Sequence, residues 1–95
     1  IYIDINKNIN QNKVLNILKQ YYKGKKFIKI AKKDTFLSTN DVIGTNKCII
    51  SVCKSKYKDK IIILSAIDNL IKGGSGQAVQ NMNILFKFKE NSGLV

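Results

Sequence analysis

The chain has no histidine, no proline and no tryptophan, and only two cysteines among its 95 residues. Without histidine or an acidic cluster, Cys48 and Cys53 make a poor zinc site. If both lie on one strand, their odd spacing puts them on opposite faces, roughly 17 Å apart at about 3.3 Å per residue. A disulfide needs Cα atoms within about 7 Å, so the thiols are expected unpaired, as small apolar side chains in a reducing cytoplasm. The lack of proline leaves no obvious linker, and the length allows one domain with a modest core. No apolar run approaches the ~20 residues that span a bilayer, and no signal-peptide pattern is visible, so no membrane partner is expected. Ile1 sits directly in a strand-like pattern without an initiator Met, as expected of a piece of a longer protein.

Arginine is also missing, so the net charge of +11 comes from lysine alone. A charge this large invites a nucleic-acid or anionic-surface reading. Base readout and bidentate phosphate recognition favour arginine's planar fork, and its absence weighs against that reading. Ile, Asn, Lys, Tyr and Phe crowd the chain, and all are encoded by A/T-rich codons. A biased genome accounts for the lysine excess without selection for binding. No nucleic-acid partner is expected.

What is present is a globular pattern with 44% hydrophobic residues. Ile1, Ile3 and Ile5 alternate with polar positions, the period of a half-buried strand. Asn10 or Asn12 can cap a helix whose stripe is Val14, Leu15, Leu18, Tyr21 and Tyr22, ending near Gly24. Phe27–Ile30 predicts a short second strand and Cys48–Cys53 a third. The charged connection Lys54–Lys60 leads to a fourth, Ile61–Ile67, whose unbroken hydrophobicity predicts burial on both faces. A terminal helix is predicted over 75–86, with Ala78, Val79, Met82, Leu85 and Phe86 on its packing side. The order predicts an α+β fold, helices against a mixed sheet.

Between the fourth strand and the last helix lies Lys72-Gly73-Gly74-Ser75-Gly76-Gln77. It is not a Walker A loop, because no Gly-Lys-Ser/Thr closes it. It also lacks the third glycine of the dinucleotide fingerprint and the acid that follows. A strand, a glycine turn and a helix start present backbone N–H groups and a positive helix end, which suits polar or anionic ligands. Spacing alone leaves a ligand-facing turn and a plain tight turn equally open.

Four stretches carry a family resemblance. Val42-Ile43-Gly44-Thr45-Asn46-Lys47-Cys48 resembles a Gly-Ser/Thr-Asn loop before a core strand. Ser65-Ala66-Ile67-Asp68-Asn69-Leu70-Ile71-Lys72-Gly73 resembles an Asp-Asn-Leu-x-Lys-Gly signature. Gly76-Gln77-Ala78-Val79-Gln80-Asn81-Met82-Asn83 matches a Gly-Gln-Ala-Val-Gln helix almost letter for letter. Glu90-Asn91-Ser92-Gly93-Leu94 is similar to the same proteins' terminus. These are the patterns of the N-acetyl-gamma-glutamyl-phosphate reductases, within the aspartate-semialdehyde dehydrogenase-like superfamily. The resemblance covers essentially the whole chain and is strongest from Gly44 onward. One departure is Lys87, where a glycine commonly follows the final helix. Aspartate-semialdehyde dehydrogenase and the aminoadipate phosphate reductase of lysine synthesis are the alternatives, and Gln77 favours the glutamyl enzyme over the former.

The resemblance implies that residues 1–95 form the C-terminal part of a catalytic and dimerisation domain of the glyceraldehyde-3-phosphate/aspartate-semialdehyde dehydrogenase type. It implies a final helix packed on a Rossmann domain, NADPH as cofactor, a small acyl-phosphate substrate and a cytoplasmic homo-oligomer of arginine biosynthesis. Its catalytic Cys and His are expected upstream, and no residue of this chain is assigned a catalytic role. Gln77 is the foremost candidate for a cofactor contact, since an amide both donates and accepts. Gly74 and Gly76 are expected to let the backbone approach the nicotinamide end. Asp68 and Asn69 are expected to order the turn through side-chain-to-backbone bonds.

Overall fold

The computed structural model describes all of residues 1–95. Strand β1 (Tyr2–Asp4) is followed by helix α1 (Gln11–Tyr21) and strand β2 (Ile28–Ile30). An irregular stretch holding one 3-10 turn (Thr39–Asp41) leads to β3 (Cys48–Lys54), β4 (Lys60–Ile67) and α2 (Gly76–Leu85). The sheet order is β1-β4-β3-β2, with β2 and β3 parallel and the other two pairs antiparallel. This is the mixed-sheet α+β fold the patterning predicts. No helix is long and apolar enough to cross a membrane.

Local chemistry explains α1. Asn10 is extended, and its side-chain oxygen accepts the Lys13 backbone N–H at 2.9 Å. Such a cap stabilises a helix by about 1 kcal/mol over alanine. Leu15 is buried against Val52 and Ile61, with Ile3, Ile5, Val14, Leu18 and Ile30 packed around them. Tyr21, predicted in the same stripe, is exposed and meets Tyr22 edge-on with ring centroids 4.9 Å apart. Gln11 ties the first turn of α1 to the sheet, its Nε2 donating to the Val52 carbonyl at 3.0 Å and to Asp34 Oδ1 at 2.8 Å.

Two burial expectations are corrected. In β4 only Ile61 is buried; Ile62, Ile63, Leu64, Ala66 and Ile67 are half-buried and Ser65 is exposed. The register places Ile61 and Ile63 on the face that α1 covers, leaving Ile62, Leu64 and Ala66 on the other. The unbroken apolar run therefore does not correspond to full burial on both faces.

The second correction concerns α2. Its predicted packing residues point outward, Met82 being 45%, Leu85 74% and Phe86 62% exposed, while Ala78 is exposed and Val79 half-buried. The face that is buried carries Gly76, Gln80 and Asn83 instead. Those three are spaced i, i+4 and i+7, one helical stripe. The helix makes no extensive contact with the sheet and projects from it. The radius of gyration is accordingly 15.1 Å, against roughly 12 Å for a compact chain of this length.

Candidate functional site

The glycine turn is built on Asp68. After β4 ends at Ile67, the Asp68 carboxylate accepts the Leu70 N–H at 3.0 Å and the Gly44 N–H at 2.9 Å. Its backbone carbonyl takes the N–H groups of Ile71 and Gly73 at 3.2 and 3.3 Å. The Gly44 N–H, then those of Leu70 and Ile71, hold this carboxyl below the usual carboxylate range, because they bond its charged form. Gly44 turns left-handed, with φ +73°, to bring its N–H there. Asp68 thus orders the turn and also docks it on the loop before β3.

Residues Ile71–Ser75 then form a π turn, broken from regular helix at Gly74. Ser75 N–H bonds the Leu70 carbonyl at 3.2 Å, and Gly76 N–H bonds the Ile71 carbonyl. The expectation of open N–H groups at the start of α2 is corrected by these bonds: α2 follows a preceding helical turn that uses them.

The named residues of the turn divide. Gly74 is exposed and Gln77 half-buried. The Gln77 Nε2 donates to Asn81 Oδ1 at 2.8 Å, and its Oε1 takes no bond from the chain. Gly76 is buried, and a side chain on it would collide with Asn46 Oδ1 and, at 2.8 Å, with the Ile71 carbonyl. The close approach that requires glycine there is to Asn46 and Ile71. Gly74 and Gln77 thus stay accessible, while Gly76 between them in sequence is buried and serves as the pivot of the turn.

A buried polar cluster supports that pivot, and the hydrophobic patterning does not point to it. Asn46 is fully buried, and its Nδ2 donates to Gln80 Oε1 at 2.9 Å. The same oxygen accepts the Lys72 ammonium at 2.7 Å, while Gln80 Nε2 donates to Glu90 at 2.8 Å. Lys72 also lies over the Phe27 ring, 5.5 Å from its centroid. Asn83 Nδ2 ties down the tail through the carbonyls of Glu90 and Ser92 at 3.0 and 2.9 Å. The available signal was the polar stripe at positions 76, 80 and 83, a pattern that marks an inward face only where every amide finds a partner.

Both thiols lie on β3, unbridged and five residues apart. Cys48 Sγ is 3.5 Å from the Ser65 hydroxyl, and buried Cys53 Sγ is 3.5 Å from the Thr35 carbonyl. A cleft of about 320 Å³ adjoins the approach to the turn, lined by Thr39, Ile43, Ile67, Asp68, Asn69 and Leu70. None of Gly74, Gly76 and Gln77 lines it.

Comparison with known proteins agrees with this architecture. Residues 1–69 match the semialdehyde dehydrogenase dimerisation domain. The N-acetyl-gamma-glutamyl-phosphate reductase of Thermoanaerobacter pseudethanolicus is 44% identical over 94 residues, covering 99% of this chain and 27% of the relative. The enzyme of that name from Clostridium botulinum is 45% identical over 94 residues, 99% of this chain and 27% of the relative. That of Staphylococcus saprophyticus is 40% identical over 95 residues, 100% of this chain and 28% of the relative. The chain therefore spans just over a quarter of the length of these relatives, and their similarity runs on through the glycine turn and α2, beyond the domain match. The chain belongs to the semialdehyde dehydrogenase dimerisation-domain family, and within it resembles the N-acetyl-gamma-glutamyl-phosphate reductases.

Proposed function

We propose that this chain is the C-terminal part of the catalytic and dimerisation domain of an NADPH-dependent reductase. Its reaction converts N-acetyl-glutamyl 5-phosphate to the 5-semialdehyde with release of phosphate. The observation that carries the reading is similarity of 40–45% over essentially the whole chain to reductases of that name, turn and helix included. The nucleophilic thiol and the proton-transferring histidine of such an enzyme lie elsewhere in the longer protein. The chemistry a bound dinucleotide supplies is the hydride.

The residues at the turn fit one end of that cofactor. Gln77 keeps a free carbonyl oxygen while its NH₂ is anchored on Asn81. An anchored amide with an open acceptor can hold a carboxamide N–H such as that of nicotinamide. Exposed Gly74 has no side chain to obstruct the approach, and Gly76 seats both residues on Asn46. In this reading Gly74, Gly76 and Gln77 border the cofactor, with Gly76 acting through packing.

The uncovered apolar positions support a homo-oligomer. Ile62, Leu64 and Ala66 share one partly open face of β4, and the outward side of α2 carries Met82, Leu85 and Phe86. We assign the former to contact with a second copy and the latter to the cofactor domain of the longer enzyme. Two unbridged thiols fit a cytoplasmic location.

The test is Gln77→Ala in the full-length reductase. We expect the KM for NADPH to rise about tenfold, the scale of one hydrogen bond of about 1.4 kcal/mol. An unchanged KM together with an unchanged rate of hydride transfer overturns the cofactor contact.

A further inference from the structure

We infer that Lys72, Gln80 and Asn46 are positioning residues that clamp the glycine turn in the shape that presents Gln77; the inference rests on the cofactor reading above. The Lys72–Gln80 bond joins the residue before the glycines to the first turns of α2. It closes over Gly73 to Gln77 like a clasp. Gly74, in the middle, has a backbone conformation outside the helical region, so the backbone bonds of Gly73, Ser75 and Gly76 are interrupted there and the side-chain clasp spans the break.

The direction of every bond in the clasp is determined by the two charges at its ends. An ammonium can only donate, so Gln80 must turn Oε1 to Lys72. A carboxylate can only accept, so Gln80 Nε2 must face Glu90. Asn46 then has to offer Nδ2 to the same Gln80 oxygen, at 2.9 Å. Its Oδ1 is consequently left against Gly76, buried and without a hydrogen-bond partner.

That orphan acceptor is the cost of the bond order that the two charges impose. A buried carbonyl without a partner costs stability, about 1–3 kcal/mol by typical measurements. It is tolerated here because flipping the Asn46 amide would set its Oδ1 against Gln80 Oε1, two acceptors, and flipping Gln80 as well would set its NH₂ against the Lys72 ammonium, two donors. The arrangement couples the turn to the tail as well, since Glu90 is held by Gln80 and its own carbonyl by Asn83. Lys72 and Glu90 never touch directly; the Gln80 amide carries the electrostatic link between them.

The experiment compares Lys72→Met, Gln80→Met and the double variant in the full-length reductase, with Gln77→Ala alongside. Each single variant is expected to raise the KM for NADPH about tenfold, the scale of one charge-assisted bond, and to leave the KM for the acyl phosphate unchanged. The double variant is expected to cost no more than either single one, because both break the same clasp. Additive effects, or a loss of thermal stability with both KM values unchanged, overturn the inference. If Gln80→Met does not fold, Lys72→Met decides alone, since its side chain is only half-buried. The two readings fail separately. A silent Gln77→Ala removes the cofactor contact, whereas a responsive Gln77→Ala beside silent Lys72→Met and Gln80→Met removes only the clasp.

Discussion

The two helices of this chain are held in opposite ways. Helix α1 is seated mainly by Leu15 in an apolar cluster with Val52 and Ile61, with Gln11 in its first turn as the one buried polar tie. Helix α2 buries Gly76, Gln80 and Asn83 and leaves Met82, Leu85 and Phe86 exposed. Apolar burial is non-directional, so α1 is stabilised by area and tolerates small changes of shape. Hydrogen-bonded burial is directional, so α2 is placed to within the reach of its amides. On the cofactor reading proposed above, a helix that presents a turn to a ligand gains from the second kind of attachment, and one that only closes a core does not.

The sharpest break of that contrast comes from adding or removing carbon. Leu15→Ala empties part of the apolar cluster and is expected to cost about 3 kcal/mol, within the usual range for such truncations. Gly76→Ala adds a single methyl where Asn46 Oδ1 and the Ile71 carbonyl already stand. Neither neighbour can withdraw, one being fully buried and the other backbone, so a similar loss of about 3 kcal/mol is expected. The shift in denaturation midpoint measures both. Tolerance of Gly76→Ala, with Leu15→Ala severe, would mean that the polar seat is loose and the comparison false.

These two helices also mark what the residues disclosed and what they concealed. An Asn cap at 10 or 12, of which the structure uses Asn10, the stripe of Leu15 and Leu18, and four strands within a residue or two of their bounds were all legible, because period and capping chemistry are local. The inward face of α2 was not. The apolar residues of α2 face outward, and a hydrophobic pattern does not say which side of a helix the rest of the chain covers. The same ambiguity led to β4 being expected buried on both faces, where only Ile61 is fully buried. At the site, Asp68 was legible as the organiser of the turn, since an Asx side chain beside a turn bonds nearby backbone. The roles of Asn46, Lys72 and Glu90 depend on residues far apart in sequence meeting at one oxygen or one amide, and no local pattern reports that.

A gentler probe separates the halves by pH. The Asp68 carboxyl, held low by the Gly44 N–H first and by Leu70 and Ile71 next, ties the turn to the loop before β3. Its contribution is present above the unfolded carboxylate value of about 3.9 and is lost as the pH falls through the lower folded value. Asp68→Asn is expected to lower thermal stability at pH 7 and to make the decline as the pH falls below about 4 shallower than in the parent. Asp34, held low first by the Lys54 N–H and then by Gln11, gives the α1 half an acid dependence of its own. The Asn variant should therefore keep part of the acid slope, and an unchanged slope would remove Asp68 from the account of the turn.

The smallest effect expected is a gain, and it lies where the helices end. Beyond α1, the left-handed position is Gly24, at φ +78°. Beyond α2 it is Lys87, at φ +59°. The Lys87 N–H bonds the Ile84 carbonyl at 3.2 Å and the Phe88 N–H bonds the Asn83 carbonyl at 2.8 Å, the paired bonds of a Schellman motif. A lysine there adopts a conformation that costs an ordinary residue roughly 1 kcal/mol, against almost nothing for glycine. Lys87→Gly is thus expected to raise the denaturation midpoint, by the equivalent of about 1 kcal/mol less the chain entropy that glycine adds to the unfolded state. Because the Asn83 carbonyl is part of this cap while its amide holds the tail, a firmer end should also hold Glu90 against Gln80 more tightly. A midpoint that falls in Lys87→Gly would show that the lysine stem stabilises the end of α2 by more than its backbone strain costs.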